Sequence, residues 1–427
     1  MSDGRSSDGE PARVPARGAS GQPPAPPAPP ARASYDRSLA GLGTRAVHAG
    51  GHVDPVTGAI NTPVYRSSTF RFDSTDELLA AQRGERPGFY TRHGNPNFAA
   101  VEAKFAALHG AEDAVLFGSG MAAFAGIVLG RLRAGDRIVA MADLYGGTRV
   151  LLEDVRSRFG IATTYAPLHD AKALAAALPG ARLLVAESPT NPTLRVVDLP
   201  ELGRAARAAG ALFSFDNTFA TPVHLRPLAC GADVVWESAT KALGGHSDLV
   251  AGLVAGSKAA LEPVRAARKI YGAIADPETA WLLERGMKSL VARVERQSAS
   301  ALAIARRLEA HPLVRRVFHP GLVSHPDHAL AARLLPTGSG GMVTFACRGG
   351  LDAARGVADR VRVIANAPSL GGVESVLSLP IYTSHAYLSP AERAAIDVTD
   401  DLVRLSVGLE DPNDLFADLD RALGGPR

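Results

Sequence analysis

Residues 233–246 read Asp233-Val234-Val235-Trp236-Glu237-Ser238-Ala239-Thr240-Lys241-Ala242-Leu243-Gly244-Gly245-His246. The first four form a short apolar, β-branched strand pattern. Small and hydroxyl-bearing residues then lead into a lysine, and a glycine pair follows it. A lysine at a strand end, beside hydroxyls able to hold a phosphate, suits a Schiff base with pyridoxal phosphate (PLP). The plainer alternative is a solvated lysine at a helix start. Choosing between them requires the surrounding chain.

Outward from this run, from Asp136 to about Ser257, short apolar segments alternate with alanine-rich helical patterns. Strands are expected at 137–141, 162–165, 182–186, 212–215, 233–236 and 250–254, and helices at 170–178 and 199–209. Such alternation predicts βαβ units and a mainly parallel sheet covered on both faces. Ligands in such sheets bind outside the carboxyl ends of the strands. Glu187, Asp216 and Ser238 to Lys241 all fall at that end.

Two more patterns precede the lysine. Gly118-Ser119-Gly120-Met121-Ala122-Ala123 follows an apolar run and opens an alanine-rich helix, the composition of a phosphate-binding turn. It also reads as GxGxxA, a dinucleotide fingerprint with Asp143 as the ribose carboxylate, or as a plain glycine turn. Asp216 in Phe215-Asp216-Asn217-Thr218 can pair with a protonated pyridine nitrogen, or simply cap a turn. The joint occurrence of glycine turn, strand-end Asp and strand-end lysine, in that order, favours PLP over a nicotinamide. A nicotinamide enzyme needs neither the Asp nor the Lys.

The 427 residues are 46% hydrophobic and 21% charged, the composition of a soluble globular chain of two or three units. Forty-six basic against 43 acidic residues give a net charge of +3, which offers no argument for nucleic acid or a membrane surface. No apolar stretch approaches the about 20 residues of a membrane helix. Cys230 and Cys347 are far apart, as in a reduced cytoplasmic protein without a thiolate metal site. Ser324-His325-Pro326-Asp327-His328 has two histidines but no companion ligands, so a surface turn is expected and no metal.

Residues 1–34, rich in Pro, Ala and Gly, read as a disordered tail, and 35–100 as an irregular, proline-punctuated arm. A large domain is expected over 101–276. A smaller C-terminal α/β domain over 277–427 opens with one long helix from Pro277 to about Ala310.

At this point the chain, over about residues 43–425, resembles the Cys/Met-metabolism, or trans-sulfuration, family of PLP-dependent enzymes. The motifs are Tyr90-Thr91-Arg92-His93-Gly94-Asn95-Pro96, Ser119 to Ala123, Asp143-Leu144-Tyr145-Gly146-Gly147-Thr148 and Glu187-Ser188-Pro189-Thr190-Asn191-Pro192. Asp216 to Thr218, Ser238 to Lys241, Ser369-Leu370-Gly371-Gly372 and Leu402 to Gly408 complete the series. The resemblance implies PLP-dependent transferase fold type I, the aspartate-aminotransferase-like α/β fold.

It also implies roles. Lys241 holds PLP and moves protons. Ser119, Gly120 and Met121 form the phosphate cradle, joined by the hydroxyls of Ser238 and Thr240. Tyr90 and Arg92 reach the phosphate of a neighbouring subunit, so a homodimer is the minimum active unit and a tetramer is expected. Tyr145 stacks on the ring and serves the leaving group, Glu187 shapes the site, and Asp216 holds the pyridinium. Arg404, with Ser369 and Asn191, clamps the carboxylate of a small amino-acid substrate. Capping, core-packing and surface roles are the plainer readings of each residue taken alone.

Local departures bear on the reaction. Gly147 stands where methionine γ-lyases carry a cysteine, and Leu370 where bacterial cystathionine β-lyases carry an aromatic residue. Ala367-Pro368-Ser369 replaces the Ala-Glu-Ser of many cystathionine γ-lyases and bacterial γ-synthases and resembles plant-type γ-synthases. Glu237 stands where His, Tyr or Asn is commoner, and a buried acid there requires a partner or a raised pKa. The expected reaction is γ-replacement on an activated homoserine with cysteine or another thiol, with γ-elimination of cystathionine or a specialised γ-substitution as alternatives. A dehydrogenase and a non-catalytic PLP-binding protein are more distant ones.

Overall fold

The computed structural model describes residues 41–51, 54, 56–85, 88–167 and 170–424. The tail expected over 1–34 lies outside them.

Seven strands form the larger sheet: β1 Asp113–Phe117, β2 Arg137–Met141, β3 Ala162–Ala166, β4 Leu183–Glu187, β5 Leu212–Asp216, β6 Val234–Ser238 and β7 Gly252–Gly256. Their order is β1-β7-β6-β5-β4-β2-β3. Neighbours from β6 to β3 run parallel, as the alternation predicts. β7 is the departure, running antiparallel to both β6 and β1. β1 therefore pairs only with an antiparallel neighbour, at the sheet edge. Its glycine turn is not the first turn of a parallel βαβ pair, which removes the structural basis of the dinucleotide reading.

β4 is buried at all five positions, as expected of a strand covered on both sides. One core takes Val115, Phe117, Val234, Trp236 and Val254, and a second takes the alternating residues Ala114, Leu116, Val235, Leu253 and Ala255. The segment expected to be irregular carries helices α1 Leu42–His48 and α2 Thr75–Gln82 and the start of α3 Pro96–His109. α3 starts at Pro96 behind the Asn95 cap and buries Phe98, Val101, Phe105 and Leu108 in the second core. Proline there opens a helix rather than preventing one. Helices α4 Gly120–Arg131 and α5 Gly146–Phe159 follow β1 and β2.

The long helix expected from Pro277 is two, Pro277–Lys288 and Leu290–Glu309. The break at Ser289 contains neither proline nor glycine. Instead the Gly286 carbonyl accepts from Ser289 N, from the Ser289 hydroxyl and from Arg293 Nη2 at 2.8 Å, which closes the turn early. The smaller sheet comprises β8 Val314–Phe318, β9 Met342–Cys347, β10 Ala365–Asn366, β11 Val376–Ser378 and β12 Leu402–Ser406, ordered β10-β11-β12-β9-β8. It packs on its own core, which includes Leu308, Phe345, Val403 and Leu419. Among the described residues no helix is long and apolar enough to cross a membrane.

Candidate active site

A cleft of about 450 Å³ lies where the carboxyl ends of β4, β5 and β6 meet loops of the smaller sheet. Glu187 and Asp216 are the last residues of β4 and β5 and are register partners. Ser238 ends β6, and Lys241 follows in a turn with no helix after it. The helix-start alternative for Lys241 therefore does not hold. Ser119, Gly120, Met121, Tyr145, Asn191, Thr240, Ser369 and Arg404 complete the lining among the expected site residues.

Lys241 Nζ donates to Ser369 Oγ at 2.7 Å. Burial, and then the charge of Arg404, bring its pKa down to about 8. An amine closer to its neutral form is the better nucleophile toward a carbonyl carbon. Ser369 holds a left-handed backbone (φ 87°), and Gly371 follows at φ +75° with no room for a side chain against Ala242 N.

Asp216 is 8% exposed. Its Oδ1 accepts from Thr218 N at 2.9 Å and Thr218 Oγ1 at 2.6 Å, and Oδ2 has no hydrogen-bond partner among the described residues. Burial raises its pKa to about 7, against the opposing pull of the Thr218 bonds. Glu187 accepts from Tyr145 N at 2.8 Å and Asn191 N at 3.3 Å. Burial, with Asp216 beside it, pushes Glu187 well above the usual carboxylate range.

Arg404 is 5% exposed and makes three bonds: Nη1 to Asn191 Oδ1 at 3.0 Å, and Nη2 to Ser369 O at 3.2 Å and Ser378 Oγ at 3.3 Å. Burial lowers its pKa only to about 10, so it stays cationic at neutral pH.

These residues fit PLP. An anchoring amine, a carboxylate with one oxygen free for a pyridinium, and a helix N-terminus for a phosphate line one cleft. At α4, Ser119 Oγ caps Ala122 N, so its hydroxyl proton and the N–H groups of Gly120 and Met121 have no partner inside the helix. A Cβ on Gly120 would lie 2.8 Å from Ser238 Cβ, and one on Gly118 2.8 Å from Ile274 O. The glycines thus serve close packing of the turn as well as access to a phosphate.

Some expected contributors are otherwise engaged. The Thr240 hydroxyl donates to Ala251 O at 3.2 Å and accepts from Ala251 N at 3.1 Å, so it is committed to the backbone. Tyr90 and Arg92 do not line the cleft of their own chain. Tyr90 is 41% exposed, and Arg92 Nη1 donates to Lys269 O at 2.8 Å. In the histidine-bearing turn, His325 and His328 contact backbone carbonyls and Asp327 pairs with Arg195.

Three contributors were not singled out from the sequence. Thr218 joins Asp216 to Ser238, whose N–H it accepts at 2.9 Å; the Asp-x-Thr spacing signals such a turn. Ser378, the last residue of β11, bonds Arg404, and Ser384, in the turn after it, lines the cleft; no local pattern marks either.

The profile of the Cys/Met metabolism PLP-dependent enzyme family matches residues 43–424. The chain is 44% identical over 391 residues to cystathionine gamma-synthase of Mycobacterium bovis, covering 91% of this chain and 98% of that one. Among solved structures, cystathionine gamma synthase from Xanthomonas oryzae pv. oryzae, in complex with aminoacrylate and cysteine, superposes with a TM-score of 0.86 at 37% identity over 90% of this chain and 98% of its own. A cystathionine gamma-lyase (CalE6) from Micromonospora echinospora gives 0.85 at 38% identity over 91% and 100%.

Proposed function

The chain belongs to the Cys/Met-metabolism family of PLP-dependent enzymes, and on that premise we propose that it catalyses γ-replacement on an activated homoserine with cysteine or another thiol as acceptor. It is a PLP-dependent trans-sulfuration enzyme of fold type I acting on a small amino acid. The observation that carries the γ-replacement reading is the cleft wall at Pro368, next to Ser369. A proline offers no charge to the distal ammonium of cystathionine, so holding that molecule as a substrate to be cleaved is disfavoured. Its release as a product is not.

When bound, PLP acts as an electron sink that acidifies the α-proton and then the β-proton of the amino acid. In this reading Arg404, oriented by Asn191 and Ser378, grips the substrate carboxylate with a planar pair of N–H donors. Lys241 would anchor PLP through its amine and, as a base beside the substrate, would hold and move the α-proton. Asp216, braced by Thr218 at Oδ1, would hold the proton of the cofactor's ring nitrogen. Tyr145, at the α5 N-terminus and in the cleft lining, would help hold the cofactor and supply a proton at the leaving group. Ser119, with the N–H groups of Gly120 and Met121, holds the phosphate, and Ser238 adds a hydroxyl.

Tyr90 and Arg92, exposed and outside their own cleft, would serve the phosphate of a neighbouring subunit, which makes a homodimer the minimum active unit; a tetramer is the expected assembly. A cytoplasmic setting and the division into a 35–100 arm, a 101–276 cofactor domain and a 277–427 small domain belong to the same reading. The likeness to a cystathionine gamma-lyase structure supports γ-elimination as a second reading.

Assay of the purified protein with O-acetyl-, O-succinyl- and O-phosphohomoserine, each with and without cysteine, and with cystathionine, separates the two. Cysteine-dependent cystathionine formation is expected. Cystathionine cleavage outrunning synthesis in every condition would overturn γ-replacement.

A further inference from the structure

Side chains alternate across a strand. Trp236 and Ser238 of β6 line the cleft, so Val235 and Glu237 face the opposite side, where Val235 joins Phe105 and Leu108 of α3 in the second core. Glu237 is 1% exposed there. Its Oε1 accepts from Asn217 Nδ2 at 2.9 Å and pairs with His109 Nε2 at 2.9 Å. His109 is itself buried, its ring set edge-on to Phe105 at 4.6 Å, and its Nδ1 has no partner among the described residues.

Asn217 is fully buried and immediately follows Asp216. Its N–H donates to Trp236 O at 3.0 Å, and its side chain also donates to Leu225 O at 3.1 Å. The ionisable group bonded to Glu237 is His109 from α3, and the β7 residue in register is Leu253; Asp216, in register with Trp236 on β5, turns its side chain to the cleft on the other face of the sheet. Among the described residues no lysine or arginine bonds to Glu237. A buried carboxylate so placed acts at longer range than it would near water.

We propose that Glu237, held by His109 and Asn217, is a positioning residue for Asp216. From the neighbouring strand it strengthens the hold of Asp216 on the proton of the cofactor's ring nitrogen. The Asn217 bonds tie the backbone after Asp216 to β6 and so set its orientation, while the charge of Glu237 acts on Asp216 through the sheet. Of the influences on the Asp216 carboxyl, burial raises its pKa most, the Thr218 bonds lower it, and Glu237 raises it again. The inference rests on reading Asp216 as the partner of the ring nitrogen, and the test separates the two.

Glu237→Gln keeps the shape and an acceptor oxygen but removes the charge. Glu237→Asn, a shorter neutral amide, gives a second variant should the first fold poorly. The absorbance of the bound cofactor is titrated with pH in the holoenzyme, and the affinity of the apoprotein for PLP is measured across the same range. In both variants the absorbance midpoint is expected to fall by roughly half to one pH unit, with affinity above neutral pH reduced about three- to tenfold. Asp216→Asn is the reference. A shift in Asp216→Asn with wild-type midpoints in both Glu237 variants would defeat the inference alone. Wild-type behaviour in Asp216→Asn would defeat the reading beneath it.

Discussion

Lys241 Nζ and Ser369 Oγ lie 2.7 Å apart, joining the turn after β6 to a loop of the smaller sheet. The bond links the Lys241 amine to the same loop whose Ser369 carbonyl accepts from Arg404. Ser369 supports both through a left-handed backbone that glycine adopts without cost and other residues do not. Ser369→Ala and Ser369→Gly both remove the hydroxyl, but only Ala keeps the strain. Both are expected to lower kcat/KM about tenfold, with the Gly variant more stable than the Ala variant by about 1 kcal/mol in denaturant unfolding. Equal stabilities would show that the φ of 87° carries no strain.

Asp216 gives the apoprotein a pH signature. Its folded pKa of about 7 stands above the ordinary 3.8, so between those values the folded state binds more protons than the unfolded one. Stability of the apoprotein should therefore fall as pH rises through that window. Asp216→Asn removes this loss, so its apoprotein should gain on the wild type as pH rises from about 4 to 7, as Glu187 is also relieved of a neighbouring charge. With PLP bound the order reverses, since the ring nitrogen's proton needs the carboxylate. Thermal melts of both forms across that range check the sign, and parallel curves for the two apoproteins would contradict it.

Arg404→Lys retains a positive charge but cannot reach Asn191, Ser378 and the Ser369 carbonyl together. We expect KM for the amino acid to rise about a hundredfold with a smaller change in kcat, the pattern of lost ground-state binding. A large fall in kcat with unchanged KM would place Arg404 elsewhere in the reaction.

At Gly146 an added Cβ would lie 2.2 Å from Tyr387 Cε1 and 2.4 Å from Ser384 O. Gly146→Ala must displace the segment that closes this side of the cleft. The expected cost is about 1–3 kcal/mol of stability together with a marked loss of activity. A variant as stable and active as the wild type would mean that the segment moves aside freely.

Subunit exchange tests the placing of Tyr90 and Arg92. Lys241→Ala and Arg92→Ala should each be nearly inactive alone. In a mixed dimer the cleft with an intact Lys241 receives Arg92 from its partner, so co-refolded mixtures should regain activity. Failure of a verified mixed dimer to regain any would show that Arg92 serves its own cleft.

Much of this was legible along the chain because it is local. A β-branched run ending in Ser-x-Thr-Lys, an Asp at a strand end and a capped glycine turn each occupy a few consecutive residues. Their period or turn chemistry is set by neighbours in sequence. The break at Ser289 was not legible, since the apolar periodicity runs through it and the carbonyl that closes it is claimed by Arg293. Nor was the direction of β7, because a short apolar run pairs equally well either way until its partners are known.

By itself, then, the sequence determined the order strand, lysine and glycine pair, and the chemistry those residue types can perform. Tertiary structure alone decided which distant groups meet them. Arg404 reaches Asn191 across 213 residues and His109 reaches Glu237 across 128, and neither pairing leaves a mark in local pattern. Such contacts follow from how two sheets and their helices pack together, and side-chain burial and hydrogen bonding select among arrangements that the local pattern allows equally.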